Sequence, residues 1–180
     1  MKAAGFALFD TAIGACGIAW GPAGIAGVQL PEADEGATRS RMRRRFAQIP
    51  EAPPPPEVQA ACDAIRALLD GEPRDLAEIV LDYEGVPEFH RRVYDIARRI
   101  APGRTRSYGE IAGELGDLQL SRLVGQALGL NPFAPVVPCH RVLAAGGKPG
   151  GFSAHGGASA KLRMLMIEGA RPPSDTEPLF

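Results

Sequence analysis

No run of eighteen or more apolar residues occurs in the 180-residue chain, so a membrane-spanning helix is not expected. The opening stretch MKAAGFALFDTAIG is interrupted by Asp10 and by glycines where a secretion signal needs an unbroken apolar core. Cysteine is scarce: Cys16, Cys62 and Cys139 make an odd set with no C-x-x-C spacing, which argues against a disulfide framework or a zinc knuckle. Reduced thiols fit a cytoplasmic location. Histidine is equally sparse, three in all and scattered, so no metal is expected; nor does any motif call for another cofactor. What remains is a chain with 45% hydrophobic side chains, enough to bury a core in one domain or two small ones.

The net charge of -1 conceals an asymmetry. Residues 1–86 carry 8 Lys and Arg against 13 Asp and Glu, whereas residues 87–170 carry 11 against 6. The second part is therefore suited to a polyanionic partner. Secondary-structure signals divide the chain at the same place. Between Phe6 and Leu30 short apolar runs alternate with glycines, and Gly21-Pro22 separates two of them, the pattern of a small antiparallel sheet. TRSRMRRRF, within residues 37–47, predicts a basic helix with a narrow seam at Met42 and Phe46. Its arginines, Arg39 to Arg45, are expected to form a solvated face, with an auxiliary contact to that polyanion as the alternative. A stiff connector, Pro53 to Pro56, precedes a helix whose apolar face is Val58, Ala61, Cys62, Ile65, Leu68 and Leu69. Ile79 to Leu81 is expected to return to the sheet.

From Pro87 the pattern becomes helical. Phe89, Val93, Ile96, Ala97 and Ile100 form one stripe ending before Pro102-Gly103. Two short helices follow, YGEIAGEL after Ser107 as N-cap and SRLVGQALGL after Ser121, joined closely enough for a helix-turn-helix. A last helix, ASAKLRMLMIE, is closed by Gly169. The expected class is α+β: an N-terminal sheet-and-helix domain at 1–86, then a mostly helical domain at 87–180.

Chemistry concentrates at Val-Pro-Cys-His-Arg-Val. A cysteine becomes a nucleophile when its thiolate is stabilised, and an imidazole within reach can take the proton. If the segment is extended, Cys139 and His140 point to opposite sides, so a water relay is the expected link. Glu168, three residues after Leu165, can turn inward to orient the imidazole. Cys62, on an apolar helix face, and Cys16, in a glycine-bounded strand, read as packing residues.

Through SYGEIA, SRLVGQALGLNP, VPCHRV, GGF and the closing helix with Glu168, residues 87–169 resemble the alkylguanine-DNA alkyltransferase family, the methylated-DNA-protein-cysteine S-methyltransferases. The first 86 residues match only in layout. The resemblance implies a ribonuclease-H-like first domain and a winged-helix-like second one. It implies irreversible, stoichiometric transfer of an alkyl group from the position-six oxygen of guanine, and by extension the position-four oxygen of thymine, to Cys139. His140 would be the base through water, Glu168 its orienting partner, and Asn131 a brace for the active-site turn or a simple turn residue. Tyr108 would donate its hydroxyl to the guanine ring nitrogen, Ser153 and its neighbours would meet the leaving oxygen, and Val142 would line the pocket. Phe152 stands where the family often has tyrosine.

The target oxygen is buried in the base stack, so the nucleotide must rotate out. The resemblance places Arg122 in the gap this leaves; the bland alternative is a solvated arginine on a helix that packs through its small residues. Gly125, Ala127 and Gly129 leave that helix without bulk for close approach to DNA, and only Gln126 besides Arg122 could read a base edge. The implied partner is duplex DNA met through the minor groove, by a monomer, with no membrane. The competing expectation is an alkyltransferase-like protein that binds the lesion without removing it; such proteins lack the acceptor cysteine.

Overall fold

The glycine-punctuated opening folds as the sequence reading expects. In the computed structural model, which describes residues 3–170, β1 (Gly5–Thr11), β2 (Gly14–Gly21) and β3 (Gly24–Gln29) form an antiparallel sheet in that order. Phe9 pairs with Cys16 and Ile18 with Val28. Gly17 is required on β2 by the helix above it: a Cβ there would lie 2.6 Å from Met42 Cγ. That helix is α1 (Glu35–Arg45), N-capped by Asp34, whose carboxylate accepts from the Ala37 amide. Met42 and Phe46 pack with Phe6, Ala19 and Ala26. Helix α2 (Pro56–Leu69) buries Val58, Ala61, Cys62, Ile65, Leu68 and Leu69, the predicted face. Cys16 and Cys62 are both core residues, and burial pushes their thiols up to about 12 and about 11.

Two details differ from the sequence reading. Ile79 to Leu81 does not return as a strand; only Leu81 bridges to Ile25, with the Ile25 amide donating to the Val80 carbonyl. Arg45 is not part of a solvated face. Its guanidinium turns in and donates to the Val28 carbonyl, Gln29 Oε1 and the Pro132 carbonyl. Arg41 and Arg44 remain exposed.

Among the described residues, 3–85 and 132–136 form one compact unit, and 86–131 with 137–170 the other. The division at residue 86 had placed 132–136 in the second domain. Here the Pro132 carbonyl accepts from the Val28 amide at the edge of β3, and the Phe133 ring lies 5.8 Å from that of Tyr83. Residues 171–180 of the expected second domain lie outside the described residues.

In the second unit α3 (Glu88–Arg98) buries Val93, Tyr94, Ile96 and Ala97, with Pro87 as its N-cap. Helix α4 (Tyr108–Glu114) opens with a full capping box, Ser107 to the Glu110 amide and Glu110 back to the Ser107 amide. The join to α5 (Ser121–Gly129) is a 3-10 turn over Leu118–Leu120, capped by Asp117. Ser121 is thus the first residue of α5, its hydroxyl donating to the Leu118 carbonyl. Later, β5 (Val142–Leu143) pairs in parallel with β4 (Arg106–Ser107). Helix α6 (Gly157–Ile167) ends where Gly169, at φ 67°, lets the Ala170 amide reach the Leu165 carbonyl.

Candidate active site

The β4–β5 pair sets up the site. Tyr108 follows β4 directly and Arg141 precedes β5, so the pairing of Arg106 with Val142 and Ser107 with Leu143 brings the start of α4 beside the cysteine turn. Cys139–Arg141 is a 3-10 turn rather than an extended segment. Asn131 fastens it from outside: its amide donates to the Val137 carbonyl at 2.8 Å.

Cys139 is 6% exposed. Burial pushes its thiol above the ordinary value; the Asn131 hydrogen bond, the Lys161 charge and nearby amides pull the other way. The sulfur is therefore buried among polar groups, not in hydrocarbon.

His140 is fully buried, with Nε2 2.6 Å from Glu168 Oε1. Glu168 caps α6 and is turned inward as the spacing from Leu165 required. It also accepts a fork from Arg141, Nε at 2.8 Å and Nη2 at 2.9 Å, while Arg141 Nη1 donates to the Ile100 carbonyl. Burial alone would raise the Glu168 carboxyl, but His140 and Arg141 hold it down at about 2. Glu168 is thus an anion at neutral pH, and an anion can only accept. The shared proton accordingly sits on His140 Nε2, leaving Nδ1 a bare lone pair. Among the described residues His140 Nδ1 is the one buried side-chain nitrogen or oxygen with no hydrogen-bond partner. Burial, opposed by Glu168, lowers the imidazole's proton affinity, so it rests neutral, as a base.

Tyr108 is half-buried, and burial followed by the Cys139 charge raises its hydroxyl's pKa, so it stays a donor. Lys161 of α6 was not foreseen. It is fully buried, with Nζ 3.2 Å from the Tyr108 oxygen. Its signal was present: Lys161, Leu165 and Glu168 fall on one helical stripe, where a lysine among inward-facing positions is out of place. Arg141 was likewise overlooked as a partner of Glu168.

The remaining predicted residues scatter. Val142 is buried in β5, Phe152 is half-buried with its ring centroid 6.0 Å from Lys161 Nζ, and Ser153 is exposed on the loop before α6. On α5, Arg122 and Gln126 are exposed and Gly125 is half-buried. The Arg122 side chain makes no hydrogen bond or ion pair among the described residues. Ala127, grouped with the DNA-facing residues, is instead fully buried, its carbonyl accepting from the Tyr94 hydroxyl at 2.7 Å. Position 127 follows the inward stripe of Val124 and Leu128, and that period overrides its smallness. A separate cavity of about 490 Å³ in the first unit, lined by Trp20, Ile25, Val58 and Val80 among others, presents no cysteine, serine or histidine. Among the described residues no group of three His, Cys, Asp or Glu is placed to hold a metal, and no helix is long and apolar enough to cross a membrane.

Comparison with known proteins agrees with this geometry. Residues 88–170 match the family described as 6-O-methylguanine DNA methyltransferase, DNA binding domain. A methylated-DNA–protein-cysteine methyltransferase of Methanothermobacter thermautotrophicus is 35% identical over 153 residues, 85% of this chain and 78% of that one. The protein of the same name from Mycobacterium bovis is 41% identical over 123 residues, covering 68% and 72%. The crystal structure of Mycobacterium tuberculosis OGT in complex with DNA superposes with a TM-score of 0.73 at 33% identity, over 94% of this chain and 96% of that one. With the buried Cys-His-Glu array in place and relatives matched over most of their length, the chain belongs to the methylated-DNA–protein-cysteine methyltransferase family.

Proposed function

We propose that the protein repairs alkylated DNA directly, by moving the alkyl group from the position-six oxygen of guanine to Cys139 Sγ. The observation that carries the mechanism is His140, with Nε2 tied to Glu168 and Nδ1 left as a free acceptor inside the site. Nδ1 takes the thiol proton through a water, and the thiolate attacks the alkyl carbon. The S–C bond forms as the C–O bond breaks, and the electron pair stays on guanine. Tyr108 donates to the ring nitrogen that gains charge, and donors around Ser153 meet the oxygen. The proton held on His140 finally returns to the guanine, so charge balances and His140 is neutral again. The thioether left on Cys139 has no good leaving group, so each molecule acts once.

DNA presents the lesion only after the nucleotide leaves the stack. Exposed, unpaired Arg122 at the start of α5 fills the vacated position, and Gln126 lies one turn along. With so few base-reading side chains on α5, recognition follows the lesion and duplex shape rather than sequence. Repair in the cytoplasm by a monomer approaching the minor groove completes the reading, and O4-alkylated thymine is a second substrate.

The test is incubation with duplex DNA containing O6-methylguanine, followed by weighing the peptide that holds Cys139. One methyl per protein is expected, and none with Cys139→Ser, which keeps the fold. Tight binding with unchanged mass would sink the transfer reading in favour of lesion binding alone.

A further inference from the structure

Lys161 is a fully buried cation with no carboxylate in ion-pair range among the described residues. Burying an unpaired ammonium is costly enough that most proteins avoid it or neutralise it. Its surroundings are specific. From α4 comes the Tyr108 hydroxyl at 3.2 Å, with the ring centroid at 5.5 Å. From the loop ahead of α6 come the Gly151 carbonyl at 3.4 Å and the Phe152 ring. From the 3-10 turn come Cys139 and His140, whose proton affinities its charge lowers.

We propose that Lys161 is a positioning residue that fixes the polarity of the Tyr108 hydroxyl, so that the tyrosine proton faces the purine. The reasoning is a matter of donors and acceptors. An ammonium can only donate, so the Tyr108 oxygen must accept from it, and the single O–H of the tyrosine is left for another acceptor. A neutral amine reverses this: it accepts the tyrosine proton and turns it away from the pocket. Gly150 keeps the arrangement tight, since at φ 69° a Cβ there would come within 3.0 Å of the Tyr108 oxygen. Burial brings the Lys161 ammonium down from 10.5 to about 8, against the pull of Cys139. The donor-forcing state therefore holds below about pH 8 and is lost above it. This rests on the role given to Tyr108 above.

The experiment is the single-turnover rate of methyl transfer from O6-methylguanine duplex, at saturating protein, from pH 6 to 10. Wild type, Tyr108→Phe, Lys161→Met, Lys161→Arg and the Phe/Met double variant are compared. Removing one transition-state donor typically costs on the order of 100-fold, so a loss of tenfold or more is expected for Tyr108→Phe and a similar one for Lys161→Met. The double variant should be within about twofold of Tyr108→Phe alone, because independent effects would multiply. The wild-type rate should fall above about pH 8, and that fall should be absent in Tyr108→Phe and in Lys161→Arg. Equal slowing by Lys161→Met in both tyrosine and phenylalanine backgrounds, or an alkaline fall that survives in Tyr108→Phe, overturns the proposal. If Lys161→Met does not fold, the wild-type and Tyr108→Phe profiles decide without it. A wild-type rate for Tyr108→Phe is a different failure, that of the tyrosine's own role. Iodoacetamide trapping of Cys139 across the same range separates the remaining rival: a Lys161→Met effect confined to thiolate titration would mean that the lysine serves the sulfur, and the proposal fails.

Discussion

Replacing Glu168 with glutamine tests the buried array at its centre. The carboxylate accepts three close hydrogen bonds, from His140 Nε2 and from Arg141 Nε and Nη2. Its pKa of about 2, against an ordinary 4.5, corresponds to about 3 kcal/mol of folded-state preference for the anion. The sign follows from a depressed folded pKa: the stabilisation is complete above pH 4.5 and is lost as pH falls towards 2. By pH 3 about 2 kcal/mol of it is gone. Glu168→Gln removes the anion while leaving the buried Arg141 guanidinium in place, so the variant should be about 3 kcal/mol less stable at pH 7, in the range measured when one member of a buried pair is deleted. Chemical unfolding at pH 7 and pH 3 gives the readout: the gap between wild type and variant should shrink by about two thirds in acid. Glutamine can also present its amide to His140, releasing Nε2 as an acceptor and spoiling the tautomer that makes Nδ1 the base, so transfer should slow by about 100-fold or more. Equal stability at pH 7, or a gap unchanged at pH 3, would refute the reading of Glu168 as the anion that organises the site.

The other expectations are simpler. Arg45→Met should destabilise the first unit by about 2 kcal/mol, because three partly buried acceptors lose their donor, whereas exposed Arg44→Ala should stay within about 0.5 kcal/mol; thermal unfolding measures both. Arg122→Ala should slow transfer from duplex DNA by tenfold or more yet leave the reaction with free O6-benzylguanine unchanged, since only the duplex requires the vacated position to be filled. Asn131→Ala should cost about 1–2 kcal/mol by freeing the Val137 carbonyl and should slow transfer with no loss of DNA affinity in a gel-shift titration.

The legible parts of this molecule were those with a local cause. The sheet could be read because glycines punctuate it, α4 because Ser107 and Glu110 cap it within four residues, and Glu168 because it lies one turn past Leu165 on a helix closed by Gly169. What the sequence concealed depends on partners distant along the chain. Arg45 looks like its neighbours in a basic run, and only acceptors far along the chain, at Val28, Gln29 and Pro132, distinguish it. Arg141 followed the conspicuous Cys-His pair without any mark that it would clamp Glu168. Ala127 was misplaced because smallness suggests an approach surface as readily as a packing one, and the Tyr94 hydroxyl settles which. The 3-10 turn at Cys139 carries no local mark in Val-Pro-Cys-His-Arg-Val, because Pro138 restricts the residue before it and leaves Cys139 to Arg141 free to turn.

Burial of the acceptor sulfur looks at first like an obstacle to nucleophilic chemistry, since it raises the thiol pKa and leaves little thiolate at neutral pH. For a reagent used once the balance differs from that of a turnover enzyme. Intrinsic nucleophilicity rises with thiol pKa, so the thiolate that does form attacks more strongly. Desolvation also keeps a strong nucleophile from stray electrophiles until a flipped base brings the alkyl carbon to it. In the proposed mechanism the cost, a scarce thiolate, is offset locally: the unpartnered His140 Nδ1 would accept the proton at the moment of reaction, with Lys161 and the Asn131 amide lowering the energy of the anion. A permanently ionised, exposed cysteine would react sooner with everything and would be consumed before meeting its lesion.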